Sequence, residues 1–284
     1  MGDAAPKNIF LPIAMAHSDL NSHKVFTIVS WVLSVYGTLR YLVGRSPADK
    51  HNGFHVNDTP FTANILVTFI YWVVLFLMQL LFVSQVFVPA ANNEGDARLD
   101  YSRKVGWHFT LFNVGHFLWS ILFARKHFVW SEIVLILNFF NILSLYATHK
   151  TYSIKPLKVW ALIHLPTAAL PFSWLLLAIF WNGAVMFHVH KFVGRVVSNV
   201  LIWDFLLAPG LLLVAYNDWG VGFSSAALMF GLGLGQFFTK VFALQWIFAF
   251  VIAGVLFVLS AIAAITGSLG TSRAVVDEEA PLLT

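Results

Sequence analysis

The sequence predicts an all-α fold, a polytopic transmembrane helix bundle of about eight spans. Three observations carry this. The chain holds repeated apolar runs as long as a bilayer is thick; residues 242–265, FALQWIFAFVIAGVLFVLSAIAAI, contain no charged residue. A helix rising about 1.5 Å per residue needs roughly 20 such residues to cross a hydrocarbon core of about 30 Å. Second, 59% of the 284 residues are hydrophobic and only 11% charged, where a soluble domain carries about 25% charge. Third, the segments between runs are short and polar, too small to fold as water-facing domains.

In chain order, a cytosolic segment of residues 1–24 is expected first. Its short apolar patch, Ile9–Met15, contains Pro12 and does not read as a cleavable signal. The bundle occupies residues 25–266. Span one is Val25–Gly44, with Arg40 near its far end, where the side chain reaches the interface. A polar loop with the sequon Asn57-Asp58-Thr59 leads to span two, Phe61–Val86. The charged, turn-forming stretch Pro89–Lys104 precedes spans three (Gly106–Ala124) and four (Phe128–Ala147). Only Arg125-Lys126-His127 joins these two, which demands a tight hairpin.

Span five, Val159–Phe187, is long and contains Pro166 and Pro171. Each proline removes a backbone donor and should kink the helix. Span six is Phe192–Tyr216, with a further kink expected at Pro209-Gly210. Span seven, Val221–Thr239, is the least hydrophobic, and a re-entrant course there would reduce the total to seven. It carries Ala227, Gly231 and Gly235 at four-residue spacing, a face that admits close helix approach. Span eight closes the bundle, and residues 267–284 form a flexible tail. Lys and Arg divide nine to eight between the two sides, so charge bias does not orient the chain.

The chain has no cysteine, which removes thiolate chemistry and disulfides. Its +4 formal charge is dispersed rather than gathered on one face, unlike a nucleic-acid reader. His188 and His190 sit two apart and do not share a helix face, and no His-Glu-x-x-His occurs, so neither metal nor cofactor is expected. Lys240 falls between spans and lacks the acid four residues earlier that a microbial-rhodopsin lysine would have; it reads as an interfacial charge.

Polar groups inside spans are costly and mark candidate sites. Asp204 lies mid-span in IWDF, without a partner on its own helix, and centres a proton-linked transport reading. The alternative is a packing acid bonded by another helix. Glu132 lies near its helix start, where a carboxylate complements the dipole. Asn138 and Asn141 share a face of span four. Together with Asn113, Asn182 and Asn199 they read as interhelical glue.

Thr110 and His164 supply the catalytic alternative. The patches WHFTLFN and HLPT resemble the androgen-induced family of intramembrane lipid-ester hydrolases, which use a threonine nucleophile and a histidine from different helices. That resemblance implies a Thr110–His164 pair, the hydroxyl needing an adjacent base.

Four stretches, WHFTLFN (107–113), WSEIVLILNFFN (130–141), FWNGA (180–184) and GQFFTKVFALQWIFAF (235–250), resemble a fungal family of multi-spanning membrane proteins of unknown function. Proteins of this kind resemble the membrane subunits that direct a Golgi and vacuolar transmembrane ubiquitin ligase to its compartment. The resemblance implies a localisation role and assigns no catalytic residue.

The tail adds a separate signal. Glu278, Leu282 and Leu283 in EEAPLL fit the acidic dileucine pattern that adaptor complexes read in cytosolic tails. If the tail is cytosolic, eight spans put the N-terminus there too and Asn57 in the lumen. The expectation is an integral protein of the endomembrane system (Golgi, endosome or vacuole). It would act as a scaffold, adaptor or localisation subunit, with the bilayer, membrane proteins and an adaptor complex as partners.

Overall fold

In the computed structural model, residues 10–43, 59–85, 87, 93–189, 192–239 and 244–267 are described, and they contain no strand. Ten helices follow one another: α1 (Phe10–Gly37), α2 (Ile65–Gln85), α3 (Asn93–Ala124), α4 (Phe128–His149), α5 (Leu157–His164), α6 (Leu170–Met186), α7 (Phe192–Leu201), α8 (Asp204–Tyr216), α9 (Trp219–Thr239) and α10 (Gln245–Thr266). α1 starts ahead of the predicted first span, and its last turns continue as a π-helix over Thr38–Val43. Pro12 falls in its first turn, where a missing amide costs no helical bond.

Among the described residues, seven segments are long and apolar enough to cross a membrane: His23–Leu42, Ile65–Gln85, Phe128–His149, Leu157–Met186, Val196–Tyr216, Trp219–Phe238 and Gln245–Thr266. The apolar half of α3 is the candidate for an eighth, and it runs antiparallel beside α4. Asn141 Nδ2 donates to the His108 carbonyl at 2.9 Å and Asn138 Nδ2 to the Phe112 carbonyl at 3.0 Å. The hairpin closes at Arg125-Lys126-His127, with Lys126 in the left-handed region at φ 63°. α3 reads as weakly hydrophobic because its polar side chains face α1 and α4. Ser34 Oγ and His116 Nδ1 are 3.0 Å apart, for example. The chain is thus an all-α, multi-pass integral membrane protein.

Burial distinguishes the last two helices: α10, the more apolar, has 33% of its residues buried, and α9 has 61%. A helix facing lipid must be apolar all round its outer side, but one enclosed by protein has no need of that. α9 is one unbroken helix over Trp219–Thr239, long enough for a full crossing. The α5–α6 rod is the axis of the bundle, with every residue from Pro166 to Ala178 buried. Both prolines sit at the starts of segments, Pro166 in a π-helical turn (Leu165–Ala169) and Pro171 at the head of α6. The predicted kink is therefore a turn of π-helix, which widens the ladder where a proline amide is missing.

Span six departs from expectation. α8 runs unbroken through Pro209, and the irregularity lies earlier, at Ile202-Trp203. There the ladder tightens, with the Phe205 amide donating to the Ile202 carbonyl at 3.2 Å. α8 thereby starts afresh at Asp204, and Pro209 stands inside it, where it offers no amide to the Phe205 carbonyl.

Candidate functional site

The two-residue reversal between α8 and α9 builds the most polar interior site. Asn217 takes the left-handed conformation at φ 55° and ends α8. Its side-chain amide donates to the Gly267 carbonyl at 2.6 Å, fixing the end of α10 beside it. Asp218 then starts α9 as its N-cap, Oδ1 accepting the Val221 amide at 3.2 Å. The other oxygen, Oδ2, accepts the Tyr146 hydroxyl and lies 2.8 Å from His164 Nε2. His164 Nδ1 in turn meets Thr151 Oγ1 at 2.8 Å. The His164 and Asp218 side chains are both 0% exposed. The imidazole stacks on Trp160 and meets Tyr146 edge-on, with ring centres 5.2 and 5.6 Å apart.

The polar path continues inward. Ser224 and Ser225 lie six and seven residues beyond Asp218, about 10 Å along α9. Both hydroxyls meet Ser173 Oγ, at 2.7 and 2.8 Å. Ser173 also donates to the Ala169 carbonyl, and Tyr71 donates to the Leu170 carbonyl at 2.8 Å. These hydroxyls serve the carbonyls around the π-turn and Pro171, as backbone irregularity within a membrane requires. Chemically, the site is an acid–imidazole pair with a phenol and an alcohol at its ends, sealed from water by aromatic rings.

The structure brings some predicted residues together and separates others. Thr110 is buried, and its hydroxyl has no hydrogen-bond partner among the described residues. His164 engages Thr151 and Asp218 through its two ring nitrogens, so neither remains for Thr110, and the predicted nucleophile–base pair is not formed. Asp204 is half-buried at the first position of α8 rather than in mid-helix, and no side chain bonds it among the described residues. The helix break at Ile202-Trp203 is the reason, since it turns a mid-span acid into a helix-start acid that complements the dipole.

Glu132 is the fifth residue of α4 and stands past its first turn. Asn182 of α6 donates to its Oε2 at 2.7 Å and to the Phe128 carbonyl at 2.9 Å, while Ser131 Oγ donates to Asn182 Oδ1. Asn138 and Asn141 both face α3. Asn113 bonds within its own helix, and Asn199 Oδ1 accepts Gln245 Nε2 from α10. Gly231 and Gly235 face the entry to α2, whereas Ala227 is exposed. Asn57, Glu278, Leu282 and Leu283 lie outside the described residues. No group of three potential metal ligands occurs among the described residues.

Asp218, Tyr146 and Thr151 escaped the sequence reading, although one signal existed. An Asn-Asp pair between two apolar runs supplies a left-handed stop followed by an N-cap start.

Comparison with known proteins bears on the last third of the chain. Residues 195–283 match the model of a family described as "Fungal protein of unknown function (DUF1774)". The uncharacterized protein C637.03 of Schizosaccharomyces pombe is 39% identical over 89 residues, 31% of this chain and 33% of that protein. The matched region thus spans about a third of either chain. No solved structure matches. The match includes Asp218, Gly231, Gly235 and the GQFFTKVFALQWIFAF stretch, but not His164 or Tyr146. In its C-terminal third, residues 195–283, the chain is similar to a fungal family of unknown function.

Proposed function

We propose that this multi-pass membrane protein is a non-catalytic scaffold or localisation subunit of an endomembrane protein complex. The observation that carries this reading is where the interior polar groups are spent. His164, Asp218, Tyr146, Asn138, Asn141 and Asn182 all bond from one helix to another or to the turn beside it. Such links fix a rigid arrangement of helices and leave no nucleophile with a free base. The partner class is a membrane protein assembly of the kind the sequence resembles, a ubiquitin ligase with compartment-directing subunits. Its compartment is Golgi, endosome or vacuole, selected by an adaptor complex reading the tail.

Purification of the tagged full chain in mild detergent is expected to bring down membrane proteins in fixed stoichiometry. A lone monodisperse protein would count decisively against a subunit role. Replacing Leu282 and Leu283 with Ala is expected to shift the protein to another compartment in a fluorescence map of living cells; an unchanged distribution removes the sorting signal.

A proton-linked transport role is the second reading, and one observation favours it: a fully buried carboxylate–imidazole pair in a membrane bundle. Its centre is Asp218 rather than Asp204. On this reading Asp218→Asn abolishes proton-coupled flux in reconstituted vesicles, and a vesicle assay without wild-type flux ends it.

A further inference from the structure

The opposite end of the bundle, where α4 begins and α6 ends, holds a cavity of about 560 Å³. That volume falls inside the ~300–1,000 Å³ range of small-molecule sites. Its walls come from α4, α6, α7 and the entry to α2, and among them are Phe61, Phe180, Val197 and Leu201. It sits at the level of the helix ends, where a bilayer passes from acyl chains to headgroups. α7 is tied to α10 through Asn199 and Gln245 and leaves this space between itself and α6.

Glu132 gives the cavity its chemistry. Asn182 holds Oε2 in place, and Ser131 and the Phe128 carbonyl hold Asn182. Oε1 lies over Gly183, where an added Cβ would stand 3.6 Å away. The bare backbone of Gly183 therefore leaves that oxygen open to the cavity. A carboxylate fixed against apolar walls is costly without a counter-charge, so the complementary ligand brings a cation. His188 also lines the cavity, in the left-handed turn after α6. It is exposed there, whereas Glu132 is half-buried, so the acid sets the character of the inner end.

We propose that this cavity binds a long-chain amphiphile with a primary ammonium head. Glu132 Oε1 receives the ammonium, and the chain lies along Phe180, Val197 and Leu201. The head is selected by charge and hydrogen bonding; the chain is selected only by the width of the slot. This site is independent of the scaffold role, and its failure would leave that role standing.

Photolabelling of the detergent-solubilised full chain tests the assignment. The probes are a photoactivatable long-chain amine of the sphingosine type and its N-acetylated counterpart, which keeps the chain and loses the cation. The amine is expected to label α4, α6 or α7 at least tenfold more strongly than the acetylated probe. Glu132→Gln should remove that preference while unfolding at the wild-type temperature, and Val197→Trp, from the opposite wall, should block both probes. Equal labelling of wild type by the two probes overturns the proposal, and so does an amine preference that survives Glu132→Gln. Should the Gln variant fail to fold, the two-probe comparison on wild type decides alone, with no preference for the amine counting as refutation.

Discussion

Asp218→Ala is expected to destabilise the solubilised protein by about 3–5 kcal/mol, the cost of removing one partner from a buried charged pair. The loss has three sources: the Tyr146 hydroxyl, the His164 Nε2 and the Val221 amide all lose their acceptor inside a sealed site. Each orphaned group costs on the order of 1–3 kcal/mol, and relaxation of the reversal recovers part of the sum. The check is the unfolding midpoint of variant and wild type in one detergent. A loss below about 1 kcal/mol would mean that the network does not hold the helices. The acid also makes stability depend on pH. Burial alone would raise its carboxyl, but attraction to His164 and hydrogen bonds from His164, Tyr146 and the Val221 amide outweigh this and hold it below the ordinary value. With the folded value below the unfolded one of about 3.9, the stabilisation is complete above that pH and is lost as pH falls through the folded value. Wild type should therefore lose more stability than Asp218→Ala on acidification below about pH 4.

The same residue shows what a single sequence discloses about such a protein. Span positions were legible because length and apolarity are local properties, and Pro166 and Pro171 announced their distortion because a missing amide is local too. Charge was less legible. Asp204, inside an apolar run, reads as buried, whereas Asp218, between runs, escapes notice. Asp204 sits at a helix break and is half-buried, while Asp218 is enclosed by Tyr146 and His164, 72 and 54 residues away in the chain. Glu132 and Asn182, noticed separately, meet across 50 residues. Those encounters are set by how helices cross, and no residue pattern within one helix encodes a partner on another. The three-residue turn after α3 does make its hairpin with α4 legible, since so short a link leaves a helix no course except back along its neighbour.

Gly235→Ala is expected to destabilise the bundle by a clash with backbone. A Cβ there would lie 2.7 Å from the Thr62 carbonyl oxygen, 2.8 Å from the Asn64 nitrogen and 2.9 Å from the Ala63 carbonyl carbon. All three are backbone atoms, and the segment cannot step aside because several bonds pin it. The Asn64 amide donates to the Gly231 carbonyl at 2.8 Å, and Gln236 Nε2 donates to the Thr59 and Thr62 carbonyls at 2.9 and 3.0 Å. Asn64 Oδ1 meanwhile caps α2 by accepting the Leu66 amide at 3.0 Å. Forcing one methyl into this clamp is expected to cost about 1–3 kcal/mol, and a leucine more. Gly231→Ala should cost less, since its close contacts are side-chain atoms of Val67 rather than backbone. Gly254→Ala, in α10 with nothing within 4 Å, should be neutral or gain about 0.5–1 kcal/mol from the better helix former. Unfolding midpoints of the three alanine variants should therefore rank Gly254 above Gly231 above Gly235. If Gly235→Ala proves as stable as Gly254→Ala, then α9 does not rest on the backbone that leads into α2.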